Sequence, residues 1–134
     1  MKNIIFTLAV ILFISCKPLN NNQEQVGEYK VYKIDTIDSF YTIYCEKNGE
    51  KYKIVSKEQN EKVINSNEKI AVGQSYNFVL NLYRPNNDSN PLTNATTAPN
   101  VIRCYMFENT KICEEEGIKL YTSNNLKGLS FIKS

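Results

Sequence analysis

Hydrophobic and polar residues alternate along most of the chain from position 28 onward, whereas helical periodicity is nearly absent. Alternation with a period of two is typical of β-strands that bury one face. About seven short strands at this spacing predict an all-β domain, either a sandwich or a small barrel. The predicted strands cover residues 28–38, 40–47, 50–57, 75–83, 101–107, 118–122 and 126–132.

The first predicted strand carries two hydrophobic pairs, one at odd-numbered and one at even-numbered positions. Tyr29 and Val31 alternate on one face, and Tyr32 and Ile34 alternate on the other. One extra residue in a strand moves the side chains that come after it to the opposite face of the sheet. A β-bulge near residues 30–33 would therefore turn both pairs toward the core.

The second and third strands flank Asn48-Gly49, a dipeptide that suits the positive φ angles of a type I′ turn. A two-residue turn fixes the register, so that the numbers of paired residues sum to 97. The pattern then predicts one core face and one solvent face. The core face holds Tyr41, Ile43, Cys45, Tyr52, Ile54 and Ser56, and the solvent face holds Tyr44, Glu46, Lys51 and Lys53.

Two polar stretches interrupt the strands. Residues 57–68 contain a single apolar pair, Val63 and Ile64, and allow either a short helix or a loop. Residues 84–100 contain three Pro and five Asn and predict a long loop, which is either a mobile functional loop or a dispensable insertion. The strand that follows is apolar on both faces, so we expect it to be covered on two sides.

The composition excludes several classes of chemistry. The chain has no His, which excludes mechanisms that activate Ser or Cys with an imidazole and metal sites built on His. Sixteen Lys and Arg against fourteen Asp and Glu give a formal charge of +2, which argues against a nucleic-acid partner. We therefore expect no catalytic residues, no cofactor and no enzymatic activity.

The acidic residues do not form a recognisable site. Glu114, Glu115 and Glu116 could bind a hard cation or a basic partner, but such a run is more typical of a solvated turn, and we expect no bound metal. Asp35 and Asp38 are three positions apart on a strand and face opposite ways, so they make a poor carboxylate pair for glycoside hydrolysis. The nine Tyr alternate mainly along strands, and we expect packing roles for them rather than carbohydrate stacking.

Three cysteines lie within the predicted β-domain. Cys104 and Cys113 would face each other if the chain turned near residues 108–109, and they form the favoured disulfide pair. A bridge that uses Cys45, or no bridge at all, are the alternatives. Cys45 lies on the predicted core face, and we expect it to be a buried free thiol that packs as a small hydrophobic residue.

The first fifteen residues have the pattern of a secretory signal peptide. Lys2 precedes the apolar stretch 4–14, which at about 1.5 Å per residue spans about 16 Å and is too short to cross a bilayer. The stretch ends in Leu12-Phe13-Ile14-Ser15-Cys16, which resembles a bacterial lipobox. The resemblance implies cleavage between Ser15 and Cys16 and acylation of Cys16. An ordinary signal peptide with an incidental Cys16 is the alternative.

Residues 16–27 are polar and predict a flexible tether between the lipid and a single β-domain at 28–134. Lys17 stands where many lipoproteins of the inner membrane have Asp. By that resemblance the cell envelope is the location, and the outer membrane is favoured, on either its periplasmic or its surface face. The membrane, bound through the lipid, is therefore an expected partner.

A second resemblance concerns the β-domain. The first strand, the Asn48-Gly49 hairpin and the run Lys69-Ile70-x-x-Gly73-x-x-Tyr76-x-Phe78-x-Leu80 resemble small lipid-anchored β-proteins of Bacteroidota. The resemblance covers residues 28–82 and implies a small antiparallel barrel of the OB type. No functional residue can be assigned to this chain from the resemblance, since a fold does not determine an activity.

These features favour a non-enzymatic lipoprotein of the cell envelope whose β-domain binds another protein or an envelope component. The alternative is a periplasmic inhibitor or immunity protein against a toxin or a lysozyme-like enzyme, with the 84–100 loop as the inserted element. A hydrolase with a Ser or Asp nucleophile is a third class of function.

Overall fold

A computed structural model describes residues 24–60, 68–85 and 102–133 of the chain. These residues form ten strands and no helix, which confirms the all-β prediction. Three of the strands have only two residues, so the strand count exceeds the predicted seven. The strands are β1 Gln25–Ile37, β2 Phe40–Lys47, β3 Glu50–Lys57, β4 Glu68–Lys69, β5 Ser75–Leu82, β6 Cys104–Phe107, β7 Thr110–Cys113, β8 Leu120–Ser123, β9 Leu126–Lys127 and β10 Ser130–Phe131.

Five of the strands close into a barrel, in the order β1-β2-β3-β8-β5, with β5 pairing back onto β1. The contact between β3 and β8 is parallel, whereas the other four contacts of the barrel are antiparallel. A closed five-stranded barrel of this order is of the OB type. The structure thus decides between the barrel and the sandwich that the sequence left open.

The predicted bulge and hairpin register are both confirmed. The pairing of β1 with β2 shifts between Val31 and Lys33, so that Tyr32 is the extra residue. Ile34 then packs against the core as expected, but Tyr32 does not, because this half-buried residue packs its ring on Tyr44 instead. Asn48 and Gly49 have φ angles of 53° and 79°, as a type I′ turn requires. All the pairs between β2 and β3, from Phe40 with Lys57 to Lys47 with Glu50, follow the predicted register.

The first strand begins at Gln25, three residues before the predicted start of the domain. Gln25, Val26 and Gly27 pair with residues 78–80 of β5 and so contribute to the closure of the barrel. Polar composition suggested a tether here, but the backbone hydrogen bonds of a strand do not depend on side-chain polarity.

The core of the barrel is built from inward-facing residues of all five barrel strands, from the residue that follows β4 and from the C-terminal segment. Phe78 lies at its centre, with no exposed surface and with ring contacts to three aromatic neighbours. The buried members of this core are Tyr29, Val31, Ile43, Cys45, Tyr52, Ile54, Ile70, Tyr76, Phe78, Leu80, Tyr121, Leu126 and Phe131.

The prediction of a solvent face on the β2–β3 hairpin is wrong for its central residues. Tyr44 and Lys53 are buried, and Lys53 keeps only 5% of its surface exposed. The Lys53 Nζ donates a hydrogen bond to the Cys113 carbonyl oxygen at 3.0 Å. The β6–β7 hairpin folds back over this face and makes a second hydrophobic cluster with it, built on Phe40, Val55, Ile112 and Leu120.

The expectation that residues 101–107 are covered on both sides is also wrong. Tyr105 and Phe107 pack on the second cluster, but Ile102 and Met106 are 54% and 59% exposed. The reason is that β6 pairs with β7 in a two-stranded sheet that lies on the barrel with one face only.

Other predicted segments differ from the structure or lie outside it. The predicted last strand at 126–132 is a hairpin of β9 and β10 with a turn at Gly128. Of the 57–68 and 84–100 stretches, positions 61–67 and 86–100 lie outside the described residues. β8 begins at Leu120, two residues later than predicted, after an isolated bridge between Glu115 and Ile118.

The Cys104–Cys113 disulfide should stabilise the fold measurably. The two cysteines are directly paired across the β6–β7 hairpin and are bridged, as predicted. In the chain-entropy model a bridge over nine residues contributes about 2–3 kcal/mol. We expect the double variant Cys104→Ser/Cys113→Ser to lose about that much unfolding free energy in urea titrations. Reductant should destabilise the natural sequence and leave the double variant unchanged; equal sensitivity would contradict a contribution from the bridge.

Candidate functional site: the tyrosine end of the barrel

Three tyrosines from different strands meet near one end of the barrel. The Tyr52 ring contacts Tyr29 edge-on at 5.0 Å between centroids and Tyr121 at 5.2 Å. Strand alternation directs all three into the core, where their rings are almost completely buried. We call this the tyrosine end; it comprises the start of β1, the Asn48–Gly49 turn and the turn at 116–119.

Two grooves open at the tyrosine end, and Glu50 and Tyr52 line both of them. The first groove, of about 510 Å³, runs between the β2–β3 turn and the 116–119 turn. The second groove, of about 390 Å³, runs between the β2–β3 turn and the start of β1. Both volumes fall within the range of small-molecule sites. The first is lined by Gly49, Glu50, Lys51, Tyr52, Glu116, Gly117, Ile118, Lys119 and Tyr121, and the second by Glu24, Gln25, Val26, Tyr29, Lys47, Asn48, Glu50 and Tyr52.

The tyrosine hydroxyls of these grooves are held in the protonated form. The Tyr52 hydroxyl donates to Glu50 Oε2 at 2.9 Å. Burial, together with this carboxylate, raises the pKa of Tyr52 well above its ordinary value. Burial also raises the pKa of Tyr29 and of Tyr121. At neutral pH the three hydroxyls are therefore hydrogen-bonding groups and not bases.

Charges of both signs line the grooves. Lys47 lies over the Tyr29 ring, with its Nζ 5.3 Å from the centroid. A Cβ at Gly27 would overlap the Lys47 ammonium group, so the glycine leaves room for this side chain along β1. Among the described residues the groove linings contain three Lys and three Glu, namely Lys47, Lys51, Lys119, Glu24, Glu50 and Glu116.

Three lysines lie on aromatic rings along the outer face of β1–β3, and one of them, Lys51, also lines the first groove. Lys33 and Lys53 approach the Tyr44 ring at 4.9 and 5.2 Å, and Lys51 lies 5.7 Å from the Tyr32 centroid. The β2–β3 face is a common ligand surface in OB-type barrels. Here the chain's own β6–β7 hairpin covers much of it, which leaves the tyrosine end as the more open candidate site.

The predicted cysteine sites have different outcomes. Ser15 and Cys16 lie outside the described residues. Cys104 and Cys113 form the favoured disulfide, and Cys45 is a buried free thiol, as predicted for an unbridged cysteine on the core face. Burial raises the pKa of the Cys45 thiol to about 12. The thiolate needed for nucleophilic chemistry is therefore strongly disfavoured at neutral pH.

The acidic run is only partly a solvated turn. Glu115 and Glu116 are exposed, but Glu114 is buried, which corrects the prediction. Arg84 forms an ion pair with Glu114 at 3.2 Å and also donates to the Tyr105 hydroxyl at 2.7 Å. Glu114 therefore anchors the β6–β7 region to the segment after β5.

Asp35 and Asp38 serve separate local contacts. Asp35 forms an ion pair with Lys33 at 2.9 Å, whereas Asp38 accepts a hydrogen bond from the Thr110 hydroxyl at 2.9 Å. In the described ranges, no three His, Cys, Asp or Glu residues are grouped so that they could hold a metal ion.

The tyrosine end was not predicted from the sequence as a site. The alternation predicted packing for the tyrosines, and it did place Tyr52 on the core face. The meeting of Tyr29, Tyr52 and Tyr121 depends on the order of the strands around the barrel, for which the sequence carried no local signal.

In the part of the chain that the structure describes, no helix is long and apolar enough to span a membrane. Comparisons with protein-family models, with curated proteins and with solved structures find no match to this chain.

Proposed function

We propose that this protein is a lipid-anchored, non-enzymatic binding protein of the cell envelope, held in the outer membrane through Cys16. The observation that carries the proposal is the Cys104–Cys113 disulfide on an exposed hairpin. Disulfides form and persist outside the reducing cytosol. The bridge therefore supports export of the chain, which is what its first sixteen residues predict.

The tyrosine end supports binding as the activity of the domain. Its two grooves combine carboxylates and ammonium groups, which can hydrogen-bond to a polar ligand. Binding sites of this kind need a few fixed polar groups on a rigid surface. The rigid surface here is the closed barrel, with the Tyr52–Glu50 hydrogen bond at its mouth.

The anchor is tested by Cys16→Ser in the full chain. We expect the natural sequence to partition into the detergent phase and the variant into the aqueous phase. The detergent-phase fraction should fall more than about tenfold, because each buried CH₂ of an acyl chain contributes about 0.8 kcal/mol to membrane binding. Incorporation of labelled palmitate should be lost in parallel.

Ser15→Ala is the matched control, because it keeps a small residue before Cys16. This variant should remain acylated and stay in the detergent phase. Unchanged partitioning of Cys16→Ser would overturn the proposed anchor.

A further inference from the structure

We propose that the tyrosine end of the barrel rests on the bilayer that holds Cys16 and that its two grooves take zwitterionic phospholipid headgroups. The proposal rests on the proposed lipid anchor and names the ligand class of the same site. Its first argument is the position of the anchor relative to the barrel. Its second is the surface that surrounds the grooves.

The chain enters the barrel at the tyrosine end. β1 begins at Gln25, nine residues after Cys16. Nine residues span at most about 32 Å even when fully extended. The opposite end of the barrel carries the turn at Asp38–Ser39, which lies beyond the whole length of β1. The tyrosine end is therefore the end that the anchor holds within reach of the bilayer surface.

The rim of the second groove provides an apolar contact. Val26 lines this groove and leaves 64% of its surface exposed, the largest value among the exposed large hydrophobic residues of the described part. Lys47 lines the same groove with its stem along β1. An apolar side chain beside a lysine is a favourable combination at the membrane interface, where the stem meets apolar groups and the ammonium group meets headgroups.

The balance of charge selects the headgroup class. Three ammonium groups and three carboxylates line the two grooves among the described residues. A zwitterionic headgroup brings a phosphate for the lysines and an ammonium group for the glutamates. A purely anionic headgroup would meet the same lysines but would be repelled by Glu24, Glu50 and Glu116. Phosphatidylethanolamine fits both signs of charge.

The absence of Trp from the sequence allows a direct test, since a single introduced Trp is the only indole in the protein. Three exposed positions report on three surfaces: Val26→Trp on the tyrosine end, Ser39→Trp on the opposite end and Met106→Trp on the β6–β7 hairpin. Each full-length, acylated variant is reconstituted into phosphatidylethanolamine–phosphatidylcholine vesicles that contain acyl-brominated lipid.

We expect bromine to quench Val26→Trp by about half and the other two reporters by much less, because an interfacial contact lies within about 5–10 Å of the acyl boundary. Equal quenching of all three would show a freely rotating barrel and would overturn the proposal. Stronger quenching of Ser39→Trp or of Met106→Trp would assign the contact to another surface, with the same consequence.

Charge variants test the headgroup class. In the Val26→Trp background, Lys47→Glu/Lys119→Glu should abolish most of the quenching. Lys111→Glu/Lys127→Glu, which changes two exposed lysines outside the grooves by the same charge, should retain it. Stronger quenching in phosphatidylglycerol vesicles than in the zwitterionic ones would contradict the assignment.

Mass spectrometry of each reconstituted sample separates the two proposals. A protein that lacks acyl chains refutes the anchor. An acylated protein whose Val26→Trp is not quenched refutes only the orientation and the headgroup assignment.

Discussion

Replacement of Phe78 by alanine should lower the free energy of unfolding by about 3–5 kcal/mol. The Phe78 side chain is fully buried and its ring lies 5.6 Å from Tyr76, 5.8 Å from Phe131 and 6.3 Å from Tyr29. Truncation removes the buried ring and leaves a cavity among three other rings, which cannot collapse onto it without giving up their own contacts. The loss should appear as a lower denaturation midpoint in urea.

Val72→Ala is the matched control, because Val72 is hydrophobic but 57% exposed. It should change the stability by less than about 0.5 kcal/mol. A Phe78→Ala protein that is as stable as this control would mean that the barrel does not close around Phe78.

A second large effect is expected at alkaline pH. Burial raises the pKa of Cys45 from an ordinary value of 9.0 to about 12. The unfolded chain therefore releases this proton near pH 9, whereas the folded chain retains it. The contribution of this thiol to the free energy of unfolding is fully present below pH 9. It is lost as the pH rises toward 12, by a total of about 4 kcal/mol, since each pKa unit of the shift corresponds to about 1.36 kcal/mol.

The raised pKa values of Tyr29, Tyr52 and Tyr121 act in the same direction, but only above their ordinary value of 10.0. Between pH 9 and 10 the cysteine should therefore dominate. Urea titrations across this interval, made in the Cys16→Ser background to avoid the lipid, should show stability falling as the pH rises.

Cys45→Ala removes the titrating group. The variant should be less stable at pH 7, because it leaves a small cavity, but its loss of stability between pH 9 and 10 should be clearly smaller. An identical decline in both proteins would count against a buried thiol at this position.

Local patterns in the sequence determined a large part of the barrel. The parity change between Tyr29 and Tyr32 specified the bulge, and Asn48-Gly49 specified both the turn and the register of β2 with β3. These features depend on neighbours in sequence, through the period of two and through the φ angles that a short turn demands. The pairing of Cys104 with Cys113 could be predicted for the same reason, since both lie on one short hairpin.

Only the tertiary structure decided which surfaces are covered. Alternation assigned Tyr44 and Lys53 to solvent, yet both are buried, and Lys53 donates its hydrogen bond to Cys113 of the β6–β7 hairpin, a distant part of the chain. The burial of Glu114 likewise depends on Arg84, thirty residues away. The tyrosine end also depends on contacts between residues that are distant in sequence, because the order of strands around a barrel is set by long-range pairing. Periodicity records which face of a strand is apolar, but it does not record what will lie against that face.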